Sequence, residues 1–151
     1  MKDIIVCDLD GTLCNIDHRT HFVQVAQGER KDWDSFFNGV PNDTVNEPVL
    51  EVLDAFKSGQ QMYEIVFCSG RPERCRLDTI EWIEAYVGYG YYKLYMRQDG
   101  DFRSDDIVKQ EILDKHIDKE RVLFVLDDRN QVVDMWRRNG LTCFQVAEGD
   151  F

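Results

Sequence analysis

At 151 residues, with 43% hydrophobic and 31% charged residues, the chain is long enough to bury one sizeable core and too apolar to be disordered. A net charge of −11 sets its overall field against polyanions, which excludes an extended duplex-binding surface but leaves room for one terminal phosphate held by a few local cations. No apolar stretch approaches a membrane span, Met1-Lys2-Asp3 leads straight into a strand with no room for a signal peptide, and five cysteines without a CxxC pair read as reduced thiols of a cytoplasmic protein.

The first predicted strand, 4–9, is Ile-Ile-Val-Cys-Asp-Leu and runs into Asp10-Gly11-Thr12-Leu13. Strand side chains alternate in direction, so Asp8 and Asp10 leave the strand end on the same side. Carboxylates held that close repel each other unless a cation or a proton intervenes. The junction therefore suits a Mg²⁺ site in which one acid attacks and the other trades protons, although Asp-Gly is also ordinary turn sequence.

Residues 14–46 break the strand–helix rhythm and are too long for an ordinary connection. They hold His18, Arg19, His21, an aromatic cluster over 32–37 and Pro41, and begin at the rim of the suspected site. A small helical cap or lid is expected, the alternative being a surface insertion packed by Trp33 and Phe36. His18 and His21 have no second pair at ligand spacing, so zinc is not expected there.

A helix over 47–57 opens with Pro48 and repeats Val49, Val52, Leu53 and Phe56 at helical spacing. Strand 63–68 follows and ends at Cys68-Ser69-Gly70-Arg71, where a hydroxyl and free backbone N–H groups at a strand-to-helix junction can hold phosphate oxygens or simply form a turn. In the next helix, 73–86, Leu77, Ile80 and Ile83 share a stripe. Tyr89, Tyr91 and Tyr92 are expected to pack on the core rather than stack on bases. A strand over 92–96 precedes a helix over 105–116, in which Asp105 and Lys109 have the spacing of a surface ion pair. Strand 122–126 is wholly apolar, as in strands buried on both faces, and ends in Asp127-Asp128-Arg129. Adjacent acids there are hard to explain by solvation alone, and a metal would offset their repulsion, one acid binding it directly and the other through water. A helix over 130–138 and a strand over 142–146 complete the chain.

This alternation predicts one α/β domain over 1–151: a Rossmann-like three-layer sandwich with a central, mainly parallel five-stranded sheet in the order 3-2-1-4-5 and a cap insertion at about 14–46 after strand one. Ligands of open parallel sheets bind outside the carboxyl ends of the strands at the topological switch point. Asp8/Asp10, Ser69 and Asp127/Asp128 are then expected to converge on one pocket.

The ordered set Asp8-Leu9-Asp10-Gly11-Thr12, Ser69-Gly70-Arg71, Lys109 and Asp127-Asp128 resembles the four motifs of the haloacid dehalogenase (HAD) superfamily of phosphohydrolases. With Met96-Arg97, the Asp105-Asp106-Ile107-Val108-Lys109 run and the segment from Asp127 to Arg138, it resembles the phosphatase half of T-even phage polynucleotide kinases, which removes 3′-phosphates from nucleic-acid ends. The resemblance implies Asp8 as a nucleophile forming an aspartyl-phosphate and Asp10 as the acid that protonates the leaving oxygen and then activates water. It implies Mg²⁺ (magnesium) on the Asp8 carboxylate, the Asp10 carbonyl and Asp127/Asp128, and phosphate contacts from Gly11, Thr12, Ser69, Gly70 and Lys109, with Asp105 orienting Lys109. Arg19, Arg71 and Arg97 match substrate-side arginines.

Asp10 would need a raised pKa, from neighbouring acids and partial burial, to hold a proton for half of the cycle. Its presence argues against dehalogenation. The chain lacks a G-x-x-x-x-G-K-[ST] loop, which implies a free-standing phosphatase with kinase or ligase partners on other chains. A nucleic-acid end is the leading substrate and a mononucleotide or other small phosphomonoester the alternative. A phosphoacceptor signalling domain has the right residue types in the wrong order.

Overall fold

The computed structural model describes residues 1–151. In chain order the elements are β1 (Ile4–Cys7), β2 (Cys14–Asn15), α1 (Trp33–Asn38), β3 (Thr44–Val45), α2 (Glu47–Lys57), β4 (Glu64–Pro72), α3 (Arg76–Tyr86), β5 (Tyr92–Arg97), α4 (Asp105–His116), β6 (Val122–Asp127), α5 (Asn130–Arg138) and β7 (Cys143–Gln145), with short 3-10 turns between them. The main sheet has the order β5-β4-β1-β6-β7 with every pair parallel, so the expected strand order holds once the two short strands of the insertion are numbered.

Every β1 side chain is buried because the sheet is covered on both faces. Ile4 and Val6 join Val66 and Val125 in a core closed by Val108 and Ile112 of α4 and Val132 and Trp136 of α5. Ile5 and Cys7 alternate to the other face, where Ile65, Phe67 and Phe124 meet Val49 and Leu53 of α2 and Trp82 and Ile83 of α3. All five cysteines are buried free thiols, and no helix is long and apolar enough to cross a membrane.

Three local expectations fail for identifiable reasons. Leu77 is 76% exposed, whereas Ile83 is buried as expected, together with Thr79 and Trp82. Leu77 and Ile83 are six residues apart within α3 and so lie about 120° from each other around the helix, and the large Trp82 indole takes the inward position beside Ile83. Ser69-Gly70-Arg71 does not follow the strand but lies within β4, which continues to Pro72 past a register shift between Cys68 and Pro72. Such an irregularity re-aims side chains at the strand end. Of Tyr89, Tyr91 and Tyr92 only Tyr92 packs inward, edge-on to Phe67; Tyr89 and Tyr91 are exposed before the start of β5, at the opposite end of the sheet from the strand carboxyl ends.

The insertion is a small helical layer closed by the antiparallel β2–β3 pair. The Asp32 carboxylate caps α1 by accepting from the Ser35 N–H at 3.0 Å, and Trp33, Phe36 and Phe37 pack on one another. Arg19, from the 3-10 turn Asp17–Phe22, stacks its guanidinium 4.3 Å from the Phe36 ring centre and is fully buried. Its charge is shared between Asp43 of the same insertion and Asp10 beyond β1, and Asp43 in turn pairs with Arg71 of β4, so buried ion pairs tie the insertion to the sheet.

Candidate active site

Beyond β1 the Asp8 N–H donates to the Leu126 carbonyl at 3.0 Å, which keeps the chain against β6 for one further residue. The turn at Gly11 has φ +82°, and a Cβ there would lie 2.2 Å from an Asp128 oxygen, so conformation and space both require glycine. This turn brings Thr12 back, and its hydroxyl donates to Asp8 Oδ2 at 2.9 Å. Lys109, buried on α4, donates from Nζ to Asp8 Oδ1 at 2.8 Å and to Asp127 Oδ2 at 2.9 Å, so it is no surface ion-pair residue. The Trp136 indole N–H also donates to Asp127 Oδ2, at 3.0 Å.

Oxygens of Asp8, Asp127 and Asp128 lie within 4.8 Å of one another. Three carboxylates against one ammonium leave two surplus negative charges when all are ionised. Burial pushes Asp8 well above the usual carboxylate range, and Asp127 and Asp128 push the same way against Lys109. Burial, then Asp127, pushes Asp128 up to about 6. Burial also opposes the charge on Lys109, but Asp127 and Asp8 outweigh it and keep the ammonium. A buried all-oxygen donor set with this surplus fits a hard divalent cation.

Asp10 belongs to a second cluster of different character. Its Oδ1 accepts from Arg19 Nη2 at 2.7 Å and from Arg71 Nε and Nη2 at 2.9 and 2.5 Å. Asp43 lies behind both arginines, accepting from Arg19 Nε at 2.7 Å and Nη2 at 2.8 Å, and from Arg71 Nη2 at 3.0 Å. Two acids and two guanidinium groups balance, so this cluster has no charge left for a cation. The expected rise in the Asp10 pKa does not occur: burial raises it, but the charges of Arg71 and Arg19 and their hydrogen bonds prevail and lower it.

Arg19 and Arg71 have no free face, since Arg19 Nη1 donates to the Phe36 carbonyl and Arg71 Nη1 to the Thr79 hydroxyl. Both hold Asp10 from inside the protein. Arg97 is anchored to the Gly70 carbonyl at 2.9 Å, to the Asp101 and Arg103 carbonyls and to Asp105. The expectation that Asp105 orients Lys109 fails, because its carboxylate lies between Arg97 and Arg129 while Lys109 reaches away to β1 and β6. Asp105 instead shapes the β4 end, since a Cβ on Gly70 would lie 2.6 Å from its Oδ1. Ser69, two residues past the Phe67–Cys7 pairing, reaches the level of the Asp8–Asp10 turn, and its Oγ accepts from the Arg71 N–H at 3.1 Å.

His18 Nε2 lies 2.8 Å from Asp43 Oδ1, and the His21 ring lies tilted against Phe22. Sequence reasoning missed Asp43, Thr79 and Trp136. A Pro-Asn-Asp run looks like loop sequence, and nothing local marks Asp43 as the buried counter-ion of two arginines far away in the chain.

Fold and site together define the class of the chain: a phosphoric monoester hydrolase of the HAD superfamily. Within that class it belongs to the polynucleotide kinase PNKP phosphatase domain family, whose profile matches residues 2–151. It is 34% identical over 136 residues to a protein of Autographa californica nuclear polyhedrosis virus described as a bifunctional polynucleotide kinase/RNA ligase, a match covering 88% of this chain and 17% of the relative. A chain of the Pnkp1/Rnl/Hen1 RNA repair complex superposes with a TM-score of 0.81 at 38% identity, over 99% of this chain and 44% of that one. In a second structure of that complex the values are 0.79 and 37%, over 100% and 48%. The chain thus spans less than half the length of each of these relatives. A class C acid phosphatase from Bacillus anthracis, solved with tungstate, shares the fold at a TM-score of 0.53 and 19% identity, over 87% of this chain and 54% of its own.

Proposed function

We propose that this domain is a Mg²⁺-dependent phosphatase that removes 3′-phosphates from nucleic-acid ends through an aspartyl-phosphate on Asp8. The observation that carries this reading is the division of the site into two clusters. Asp8 lies in the one with surplus negative charge, Asp10 two residues on in the one that is balanced. A nucleophile and a proton carrier need such different surroundings.

An Asp8 oxygen attacks phosphorus as the bond to the leaving alcohol breaks, and Asp10 gives that oxygen its proton. Asp10, then a carboxylate, takes a proton from water, which attacks phosphorus, breaks the acyl-phosphate bond and restores Asp8. In the free domain Asp10 is ionised at neutral pH; a dianionic phosphate arriving beside it makes that charge costlier and favours proton uptake. Lys109 offsets charge on Asp8 and on the transferring group, with Thr12 and Ser69 as hydroxyl contacts and Arg97 bracing the backbone at Gly70. Mg²⁺ would be held by the Asp8, Asp127 and Asp128 carboxylates, with the Asp10 carbonyl as a further oxygen, and when bound would supply positive charge to the phosphate oxygens. The names of the relatives favour RNA as the first substrate to test, with kinase and ligase activities as companions in end repair.

The decisive assay compares 3′-phosphorylated RNA, 3′-phosphorylated DNA and nucleoside 3′- and 5′-monophosphates, each with Mg²⁺ and with chelator. Turnover of the 3′-phosphorylated oligonucleotides, lost on chelation, is expected. Turnover confined to mononucleotides would assign the domain to nucleotidases.

Mg²⁺ should also stabilise the fold in a pH-dependent way. The raised pKa of Asp128, about 6, means that the metal-free protein holds a proton there which the unfolded chain releases near pH 4. This group's contribution to stability therefore falls as pH rises from about 4 to about 6. Below about 6, Mg²⁺ must displace the proton. Saturating Mg²⁺ is expected to raise the melting temperature by roughly 5–10 °C at about pH 7.5 and by clearly less at about pH 5. Equal shifts at both, read by differential scanning fluorimetry, would place the ion elsewhere.

A further inference from the structure

Asp43 stands outside every motif of the catalytic set, yet its side chain is completely buried and gathers three cationic or polarisable partners: Arg19, Arg71 and the half-exposed His18. Its backbone is fixed as well, because the Trp82 indole N–H on α3 donates to the Asp43 carbonyl at 2.8 Å. Arg19 comes from the cap and Arg71 from the end of β4, so neither element alone fixes the distance between the two guanidinium groups. Asp43 does so by accepting from Arg19 on both oxygens and from Arg71 on Oδ2. The paired arginines then direct three N–H donors onto a single oxygen of Asp10, Oδ1, and none onto Oδ2.

We propose that Asp43 is a positioning residue for the phosphatase reaction: by clamping Arg19 and Arg71 together it saturates Asp10 Oδ1 and leaves Oδ2 as the one oxygen that exchanges a proton with the leaving group. This rests on the reading of Asp10 as the proton carrier. The role is selective. Alkyl leaving groups, such as the sugar hydroxyl of a nucleotide, require protonation as the bond to phosphorus breaks, whereas p-nitrophenolate departs without it. Loss of the clamp lets Asp10 rotate and share its donors, which harms only substrates that depend on the proton.

The test is the dependence of kcat/KM on leaving group, since this parameter reports steps up to aspartyl-phosphate formation and omits its common hydrolysis. Wild type, Asp43→Asn and Asp10→Asn are compared on p-nitrophenyl phosphate, phenyl phosphate and a nucleoside 3′-monophosphate, with melting temperatures alongside. Asp43→Asn is expected to lose about 10²-fold on the nucleotide and less than about 10-fold on p-nitrophenyl phosphate, with Asp10→Asn showing the same trend more steeply. Equal losses for Asp43→Asn across the series, with Asp10→Asn still steep, would overturn the positioning role. A flat series for Asp10→Asn would instead remove the proton-carrier reading on which it rests. Should Asp43→Asn not fold, Arg19→Gln/Asp43→Asn removes one charge of each sign, keeps the cluster balanced around Arg71 and Asp10, and is expected to show the same selective loss; equal losses there also overturn the proposal.

Discussion

Asp8→Asn is expected to reduce phosphatase turnover by at least about 10⁴-fold while leaving the fold intact. The amide is nearly isosteric, so its oxygen still accepts from Lys109 Nζ and its NH₂ donates to the Thr12 hydroxyl in place of the bond that Asp8 Oδ2 accepts. It cannot attack phosphorus as a carboxylate does. Stability should move the other way. With burial, Asp127 and Asp128 all opposing its ionisation, the Asp8 carboxylate is costly to keep charged in the absence of metal. Removing it relieves repulsion, so in chelator the variant should melt at or above the wild-type temperature, whereas in Mg²⁺ the wild type should regain the lead because it keeps all three carboxylates. Crossing melting curves with abolished turnover would identify Asp8 as nucleophile and metal ligand together. Substantial turnover by the variant, after repurification to exclude contaminating phosphatase, would remove Asp8 from the first role.

The two halves of the site were unequally legible in the sequence. Asp8, Asp127 and Asp128 announce themselves because acids at the ends of wholly apolar strands break a local rule, and the parallel topology follows from the strand–helix alternation around them. Lys109 did not: its spacing from Asp105 matches a surface pair, and only the packing of α4 over β1 and β6 shows that the ammonium is buried between two acids. The Asp10 cluster was still less legible. Its charge state depends on Arg19, Asp43 and Arg71, three residues brought together by a cap and a strand end, and spacing along the chain carries no information about which charge is nearest. Hence the expected upward shift of Asp10, argued from the acids beside it in sequence, has the wrong sign. The expected stripe in α3 failed at Leu77 for a simpler reason, since it lies six residues, and hence about 120° around the helix, from the buried Ile83.

Lys109→Met puts the charge argument to its hardest test. Methionine nearly matches the apolar stem of lysine in length and volume, so the packing of α4 is largely kept while the ammonium disappears. Asp8 and Asp127 then lose the cation that both contact, and Asp128 remains beside them with nothing to offset three buried carboxylates. Removing one partner from a buried ion pair costs about 3–5 kcal/mol, and here the charge left behind is multiple. The penalty must depend on pH with a definite sign. Acids with raised pKa values become uncharged as pH falls, so the stability gap between wild type and Lys109→Met in chelator should be small at about pH 5 and widen toward about pH 8. Mg²⁺ should recover much of the lost stability, since it neutralises the same carboxylates. It should not recover turnover, which is expected to stay down by about 10²–10³-fold, because in the proposed mechanism Lys109 also offsets charge on the transferring phosphoryl group and an ion in its own position does not replace it. Denaturant titrations across this pH range, with and without Mg²⁺, separate the two roles. A gap independent of pH would mean that Lys109 matters through its packed stem alone, and the charge division on which the assignment of Asp8 depends would fail with it.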